Sequence, residues 1–134
     1  IAVGRGDRIP GIPRQVLKLR TEVDATSQWS VGANALFSSP VQARGDENNR
    51  DVHGRIPGYA RVALDTRWRA GRNLHLYARI DNVFDRRYAN FGILGQNVFT
   101  GPAQAYDAAN PRSEQFLGPG APRSVSAGLE YIFD

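Results

Sequence analysis

The chain of 134 residues is long enough for one domain and has 41% hydrophobic and 22% charged residues. It contains no cysteine, which excludes disulfides, thiolate metal sites and cysteine nucleophiles from this sequence. The net charge is +4, but the arginines are spread along the chain and do not form the single basic face that nucleic-acid binding needs. We therefore expect no nucleic-acid partner.

Alternation of apolar and polar residues predicts five β-strands, because successive side chains of a strand point to opposite faces. The predicted strands lie near residues 15–24, 29–38, 60–69, 74–84 and 123–133. Short turns at 25–28 and 70–73 alternate with long Gly- and Asn-rich loops at 39–58 and 89–122. Since antiparallel strands reverse direction at each connection, all the short turns fall at one end of the sheet. This asymmetry is typical of transmembrane β-barrels, whose strands need only about 9 to 11 residues to span the bilayer.

Aromatic residues on the apolar positions gather near the short-turn end. Trp29 begins the second predicted strand, Trp68 ends the third, and Tyr131 and Phe133 end the fifth. Rings collected at one level predict an interfacial aromatic girdle of a membrane protein. The same alternation also fits a soluble sandwich or small barrel whose apolar face is turned inward, and this alternative stays open on the pattern alone.

The opposite, polar positions carry the candidate ligand-facing residues. These barrel-lining candidates are Arg61, Asp65, Arg67, Arg79 and Asp81. No catalytic residue, metal site or cofactor is predicted, because the two histidines are isolated and no nucleophile motif is present. The acidic run from Asp46 to Asp51 does not fit an EF-hand loop, which requires a Gly and a bidentate Glu at positions where this chain has Asp51 and Pro57.

Three stretches resemble TonB-dependent outer-membrane receptors. They are Ile56-Pro57-Gly58-Tyr59, Asn82-Val83-Phe84-Asp85-Arg86-Arg87-Tyr88, and Gly120-Ala121-Pro122-Arg123 before a last strand that ends in Tyr131-Ile132-Phe133. Members of that family commonly carry Asn-Leu-Phe-Asp-Arg/Lys-Arg-Tyr in the penultimate strand. They also end in an aromatic residue that the barrel assembly machinery reads. The resemblance makes Phe133 this assembly signal, with Asp134 following it where the family usually stops.

The resemblance implies that residues 1–134 are the C-terminal portion of a receptor, an antiparallel all-β meander of about five strands from a 22-stranded transmembrane barrel. It implies the outer membrane of a Gram-negative bacterium and the import of a scarce ligand, such as a ferric siderophore or cobalamin, without enzymatic activity. The implied partners are outer-membrane lipid and lipopolysaccharide, the barrel assembly machinery, and TonB through an N-terminal part outside this sequence. Arg86 and Arg87 near the outer rim are candidates for steering anionic ligands or lipopolysaccharide phosphates, and the alternative is that they are solvated rim charges. The alternative function is a soluble all-β module that binds a small ligand.

Five strands alone are too few to close a membrane barrel, for which eight is the smallest count. Two open edges and an exposed apolar face make an isolated sheet a template for pairing with other chains. We therefore expect the isolated segment to self-associate.

Overall fold

Seven β-strands form two separate sheets in residues 2–133, which are the residues that the computed structural model describes. The strands are β1 (Val16–Asp24), β2 (Trp29–Ser38), β3 (Tyr59–Arg69), β4 (Leu74–Asp81), β5 (Ala89–Asn97), β6 (Arg112–Pro119) and β7 (Ser124–Tyr131). A 3-10 turn at Pro102–Gln104 lies between β5 and β6. None of the helical segments described is long and apolar enough to cross a membrane. Asp134, which follows the predicted C-terminal signal, lies outside the described residues.

The larger sheet has the order β1-β2-β3-β4-β7, and every neighbouring pair is antiparallel. Short turns join β1 to β2 and β3 to β4. The first is closed by backbone hydrogen bonds between Thr26 and Trp29, at 3.1 and 3.4 Å, and the second by a 2.9 Å bond from Ala70 N to Leu74 O. The predicted antiparallel meander of five strands is confirmed, and the count of 22 strands for the complete barrel stays a prediction.

The strand register collects the apolar positions of all five strands on one face of this sheet. For example, Ala33 lies opposite Leu64, Leu64 opposite Ile80, and Ile80 opposite Val125. This apolar face consists of Leu17, Leu19, Thr21, Val23, Trp29, Val31, Ala33, Ala35, Phe37, Ala60, Val62, Leu64, Thr66, Trp68, Leu74, Leu76, Ala78, Ile80, Val125, Ala127, Leu129 and Tyr131.

The larger sheet lies in one compact unit, formed by residues 15–38, 59–87 and 121–133, and its apolar face is largely uncovered within that unit. Val125 is 71% exposed, Leu129 66% and Val23 62%. Soluble monomers rarely expose so large a contiguous apolar surface, because burying apolar surface stabilises the folded protein and leaving it in water does not. The face therefore requires a cover, such as lipid or another chain.

The fourth strand ends at Asp81, three residues before its predicted end. Asn82 and Asp85 both have φ of 49°, in the left-handed region. A strand cannot continue through that conformation, and Asn and Asp adopt it more readily than most residues do. The chain therefore turns at Asn82 instead of extending the alternation to Phe84.

A second compact unit, formed by residues 2–14, 39–58 and 88–120, contains the β5–β6 hairpin, where the sequence pattern predicted only a loop at 89–122. The hairpin is antiparallel and has a register shift near its base, between Ala89 and Phe91. Glycines interrupt the alternation of side chains in both strands, so the sequence pattern predicts neither strand. Two of these glycines are covered by aromatic rings of the partner strand. A Cβ on Gly118 would overlap the ring of Phe91, and a Cβ on Gly95 would lie 3.2 Å from the ring of Phe116.

The long connection at 39–58 packs within this second unit. Val41 and Ile56 form an antiparallel bridge with bonds of 3.1 and 2.9 Å, and Ile56 is completely buried. Arg44 bridges to β5, because its N–H donates to Gly92 O at 2.9 Å and its carbonyl accepts from Leu94 N at 2.8 Å. The connection is therefore tied to the hairpin and has a small apolar core.

Candidate functional site

The polar face of the larger sheet brings all five barrel-lining candidates together. Register places Asp65 opposite Arg79, and Arg67 opposite Tyr77. The polar face consists of Val16, Lys18, Arg20, Glu22, Asp24, Ser30, Gly32, Asn34, Leu36, Ser38, Tyr59, Arg61, Ala63, Asp65, Arg67, Arg69, His75, Tyr77, Arg79, Asp81, Ser124, Ser126, Gly128 and Glu130. The role of the five barrel-lining candidates in ligand binding stays a prediction.

Asp65 is the centre of a network that crosses three strands. The guanidinium of Arg20 on β1 donates to both carboxylate oxygens of Asp65 on β3, with a distance of 2.9 Å from Nη2 to Oδ1. Arg20 Nη2 also donates to Glu22 Oε2 at 2.6 Å, and Asn34 Nδ2 on β2 donates to Asp65 Oδ2 at 3.2 Å. Paired donation to a carboxylate fixes orientation as well as charge.

Gly32 makes room for this pair. It lies on β2 directly opposite Asp65 and directly opposite Glu22. A Cβ at this position would lie 2.6 Å from Arg20 Nη2 and 2.7 Å from Asp65 Oδ1. A larger residue would therefore force the guanidinium of Arg20 or the carboxylate of Asp65 to shift from the positions in which they meet across β2.

Replacement of Asp65 by Asn tests this network. Asp65→Asn should destabilise the full-length protein by about 0.5–1 kcal/mol, because both side chains of the pair are partly exposed and such pairs contribute little. The measurement is a double-mutant cycle with Arg20→Gln, read as the free energy of unfolding in bilayers. Glu22→Gln is the control, because it leaves the Arg20–Asp65 pair intact and should show a smaller coupling to Arg20. Strict additivity of Asp65→Asn and Arg20→Gln would contradict the assigned pair.

The remaining candidates divide into paired and free charges. Arg79 donates to Asp81 on the same strand through Nε and Nη2, both at 2.8 Å. Arg61 and Arg67 have no ion-pair partner among residues 2–133. Arg61 and Arg67, together with Lys18 and Arg69, are therefore the cations of this face without an ion-pair partner among the described residues, and they are available to an anionic ligand.

The pattern placed Arg20, Glu22 and Asn34 on polar positions but did not identify them as site residues. Their positions in the alternation were a visible signal. Which charges meet depends on strand register, however, and register is set by turns and by packing between strands. Arg20 and Asp65 are 45 residues apart, so periodicity within one strand could not pair them.

The predicted girdle residues lie at the short-turn end of the apolar face. Trp29 lies directly opposite Trp68, and Tyr131 directly opposite Leu74. Trp29 Nε1 donates to Thr66 Oγ1 at 2.6 Å, which satisfies the indole N–H next to an apolar surface. The ring of Phe133 follows β7 and meets that of Tyr131 edge to face, with centroids 4.8 Å apart. Their function as a membrane girdle, and that of Phe133 as an assembly signal, stay predictions.

The Asn82 to Tyr88 motif begins in a clasp that joins the end of β4 to the start of β7. We define the clasp as residues 82–86 and 121–123. The buried side chain of Asn82 donates to Arg86 O at 3.0 Å and Ala121 O at 3.1 Å, and it accepts from Arg86 N at 3.0 Å. Asp85 Oδ1 accepts from Arg123 N at 3.0 Å. The motif therefore positions the last strand, because its polar side chains satisfy backbone groups on both sides of the junction.

In the second unit, Asp46 organises the acidic run that failed the EF-hand comparison. The residue is only 2% exposed, and its Oδ1 accepts the backbone N–H groups of Arg50 at 2.8 Å and Asp51 at 3.0 Å. Asn49 N donates to the carbonyl of Asp46 at 3.1 Å. The side chain therefore shapes a turn, which is a common role of Asp. Among residues 2–133, no group of three or more His, Cys, Asp or Glu is placed to hold a metal ion.

Asp51 and His53 form a pH-sensitive contact in the same connection. Asp51 Oδ1 accepts the backbone N–H of His53 at 2.9 Å and lies 2.7 Å from its ring Nδ1. The backbone N–H bond, followed by the ring contact, lowers the pKa of Asp51 below its usual value.

Acidification should weaken this contact. The pKa of Asp51 is lower in the folded chain than in the unfolded chain, so its contribution to stability is present above the unfolded value of about 3.9. That contribution should be lost as the pH falls through the lowered folded pKa. The measurement is the hydrogen-exchange protection factor of the His53 amide in the full-length protein. Asp51→Asn, which cannot titrate, should remove the acid-dependent loss of protection; an unchanged profile in that variant would contradict the assignment.

No family model matches the chain. The probable TonB-dependent siderophore receptor PiuA of Acinetobacter baumannii is 31% identical to it over 87 residues. The matched region covers 65% of this chain and 11% of that relative. The chain therefore spans a small part of the curated relative it matches.

Solved structures of similar proteins share the fold. The crystal structure of the siderophore receptor PiuA from Acinetobacter baumannii matches with a TM-score of 0.68 at 22% identity, over 95% of this chain and 15% of that one. The closed form of the ferric-catecholate import receptor Fiu from E. coli K12 matches with a TM-score of 0.63 at 21% identity, over 92% of this chain and 15% of that one. The copper transporter OprC matches with a TM-score of 0.64 at 20% identity, over 95% of this chain and 18% of that one.

Proposed function

We propose that this chain, which is a segment of a TonB-dependent receptor β-barrel, forms part of the wall of an outer-membrane receptor that imports a scarce ligand. The observation that carries the proposal is the apolar face, on which register aligns the apolar positions of five strands. Its strands have 8 to 11 residues. At about 3.3 Å per residue and a tilt of about 40°, such strands rise about 20 to 28 Å, which is close to the height of an apolar band about 25 Å tall.

Lipid is the cover that fits this face best. In a soluble all-β module, the alternative function, the apolar side would pack against a second layer and be buried. Here Leu129 and Val125 are about two-thirds exposed or more in their own unit. The Trp29–Trp68 pair at one end of the face suits the polar–apolar boundary of a bilayer. We therefore favour an outer-membrane location in a Gram-negative bacterium over a soluble module.

The polar face then lines the barrel interior. Its charges are mostly compensated, with Asp65 and Asp81 each bonded to an arginine. Arg61 and Arg67 remain available as cations. An interior with free cations favours an anionic cargo, and of the ligands that the relatives' names mention, ferric siderophores are the class we assign to this receptor. Transport of cobalamin or copper in place of a ferric siderophore would contradict this assignment.

The partners follow from the same proposal. Energy would come from TonB through a part of the receptor outside this chain, and outer-membrane lipid and lipopolysaccharide would surround the apolar face. Residues 1–134 would form the C-terminal portion of a 22-stranded barrel, with Phe133 as the signal read by the barrel assembly machinery. The protein would transport its ligand without chemical conversion.

The test is uptake of radiolabelled iron–siderophore complexes by cells that express the full-length protein as their only such receptor. We expect uptake that requires TonB, together with a raised KM in the double variant Arg61→Gln and Arg67→Gln. Arg72→Gln, in the exposed turn between β3 and β4, removes a charge away from the polar face and should leave uptake unchanged. Uptake that is independent of TonB, or transport of only copper or cobalamin, would overturn the respective part of the proposal.

A further inference from the structure

A pocket of about 320 Å³ lies on the polar face, at the end of the larger sheet that carries the long connections. Register places Lys18 of β1 opposite Leu36 of β2, and Leu36 opposite Arg61 of β3, so these three residues form one row across the sheet. All three line the pocket. The other side chains that shape it belong to the next row and to the end of β4, and they are Arg20, Asn34, Ala63, Arg79 and Asp81.

The pocket carries uncompensated positive charge. Arg20 and Arg79 are each bonded to a carboxylate. Lys18 and Arg61, by contrast, have no ion-pair partner among residues 2–133. Two such cations on the walls of one concave site concentrate their field there and attract an anion.

The excess of cations is confined to this end of the polar face. Nearer the short turns the face forms a second pocket, in which charges of the two signs are balanced. Its lining includes four arginines and four carboxylates, namely Arg20, Arg67, Arg69, Arg79, Glu22, Asp24, Asp65 and Glu130. Since the short turns of membrane barrels are periplasmic, the net positive charge lies at the end from which an external ligand would enter.

Leu36 gives the cationic pocket an apolar wall. The residue is half-buried at a polar position of β2, directly between Lys18 and Arg61 in the row. Neighbouring strands lie about 4.8 Å apart, so the Cα atoms of the two cationic residues are about 10 Å from each other. A flat ring that packs on Leu36 would therefore have a cation on each side. Ala63, in the next row, has a small side chain that leaves this volume open.

We propose that this pocket binds one aromatic, anionic arm of the imported chelate, such as a catecholate, with the ring on Leu36 and the oxygens toward Lys18 and Arg61. The inference rests on the proposed function, which supplies a ferric chelate as cargo, and it adds the chemical class of the chelating arms. Ligand pockets range from about 300 to 1,000 Å³, so this one has room for a single arm. Charge-assisted hydrogen bonds favour an anionic arm over a neutral one.

The experiment measures the affinity of the detergent-solubilised full-length protein for three ferric chelates by isothermal titration calorimetry. The tricatecholate is anionic and aromatic, the citrate complex is anionic and aliphatic, and the trihydroxamate is neutral. The test variant carries Lys18→Gln and Arg61→Gln. We expect it to lose about fivefold in tricatecholate affinity per cation, and on the order of 25-fold in total. The trihydroxamate should bind weakly and equally to both proteins; an equal loss for this neutral chelate would overturn the proposal.

Two comparison variants locate the effect. Arg67→Gln with Arg69→Gln removes the same charge from the same face at its short-turn end, and should lose less than the test variant. A loss as large as that of the test variant would overturn the pocket as the site. Leu36→Asn keeps the charge but replaces the apolar wall, so it should lose about fivefold with the tricatecholate and little with the citrate complex. Equal losses with both chelates would overturn the aromatic assignment.

Folding is controlled by the free energy of unfolding, which the test variant should retain because neither cation makes an ion pair among the described residues. Reduced stability with unchanged tricatecholate affinity would mean that the pocket holds an acidic group of the receptor itself, and would overturn the proposal. Uptake of the three chelates by cells that express the wild type is measured in parallel. TonB-dependent uptake of the trihydroxamate alone would reject the anionic arm and leave the proposed transport function intact, whereas TonB-independent uptake of all three would reject that function.

Discussion

Replacement of Ile80 by Arg should destabilise the full-length protein in bilayers by about 2–4 kcal/mol, the cost of a charge on the lipid face near the midplane. Ile80 lies opposite Leu64 and Val125 on the apolar face, four residue pairs along the β3–β4 ladder from the Trp68–Leu76 pair. The measurement is the free energy of unfolding in phosphatidylcholine vesicles.

Depth within the bilayer provides an internal comparison. Leu76 lies directly opposite Trp68, close to the proposed interface, so Leu76→Arg should cost less, about 0–1 kcal/mol. His75→Arg is the control for orientation, because His75 neighbours Leu76 in the chain but lies on the polar face opposite Glu130. That variant should change stability little. Equal costs for Ile80→Arg and His75→Arg would contradict the assignment of the two faces.

Replacement of Asn82 by Ala should destabilise the protein by about 2–4 kcal/mol. The change removes the three hydrogen bonds that the buried side chain of Asn82 makes with backbone groups of Arg86 and Ala121. It also places Ala at a φ of 49°, a left-handed conformation that costs Ala more than Asn, because the Asn side chain can hydrogen-bond locally. The measurement is again the free energy of unfolding, together with hydrogen exchange at the Arg123 amide as a local probe of the clasp.

Two further variants separate the causes. Asn82→Gly loses the hydrogen bonds but relieves the strain, so it should be about 1 kcal/mol more stable than Asn82→Ala. Asn90→Ala, at an exposed position of β5, is the control for loss of an amide and should cost little. Wild-type protection of the Arg123 amide in Asn82→Ala would show that the clasp does not position β7.

The clasp shows which features of the end of β4 the sequence could predict and which it could not. The Asn82 to Tyr88 run was recognisable as a motif, but alternation alone extended β4 to residue 84. The structure ends the strand at Asp81 because Asn82 takes a left-handed conformation that its side-chain hydrogen bonds support. Those partners include Ala121, 39 residues away, and no local pattern could supply them.

For β4 the pattern predicted too long a strand, whereas for β5 and β6 it predicted no strand at all. Its strands contain Gly92, Gly95 and Gly118, which break the alternation that a pattern reading needs. The cross-strand rings of Phe91 and Phe116 cover two of these glycines. Since the compensation comes from the partner strand, each strand taken alone resembles a loop.

The sequence by itself determined the five strands of the larger sheet and the two chemically distinct faces, because a period of two is a local property of the chain. It also determined which end of the sheet carries the short turns and the aromatic residues. Only the tertiary structure decided the register, and with it the reach of Arg20 across Gly32 to Asp65 and the pairing of Trp29 with Trp68. The physical reason is that register depends on turn geometry and on packing between strands far apart in the chain, so the charges and rings that meet are a property of the assembled sheet.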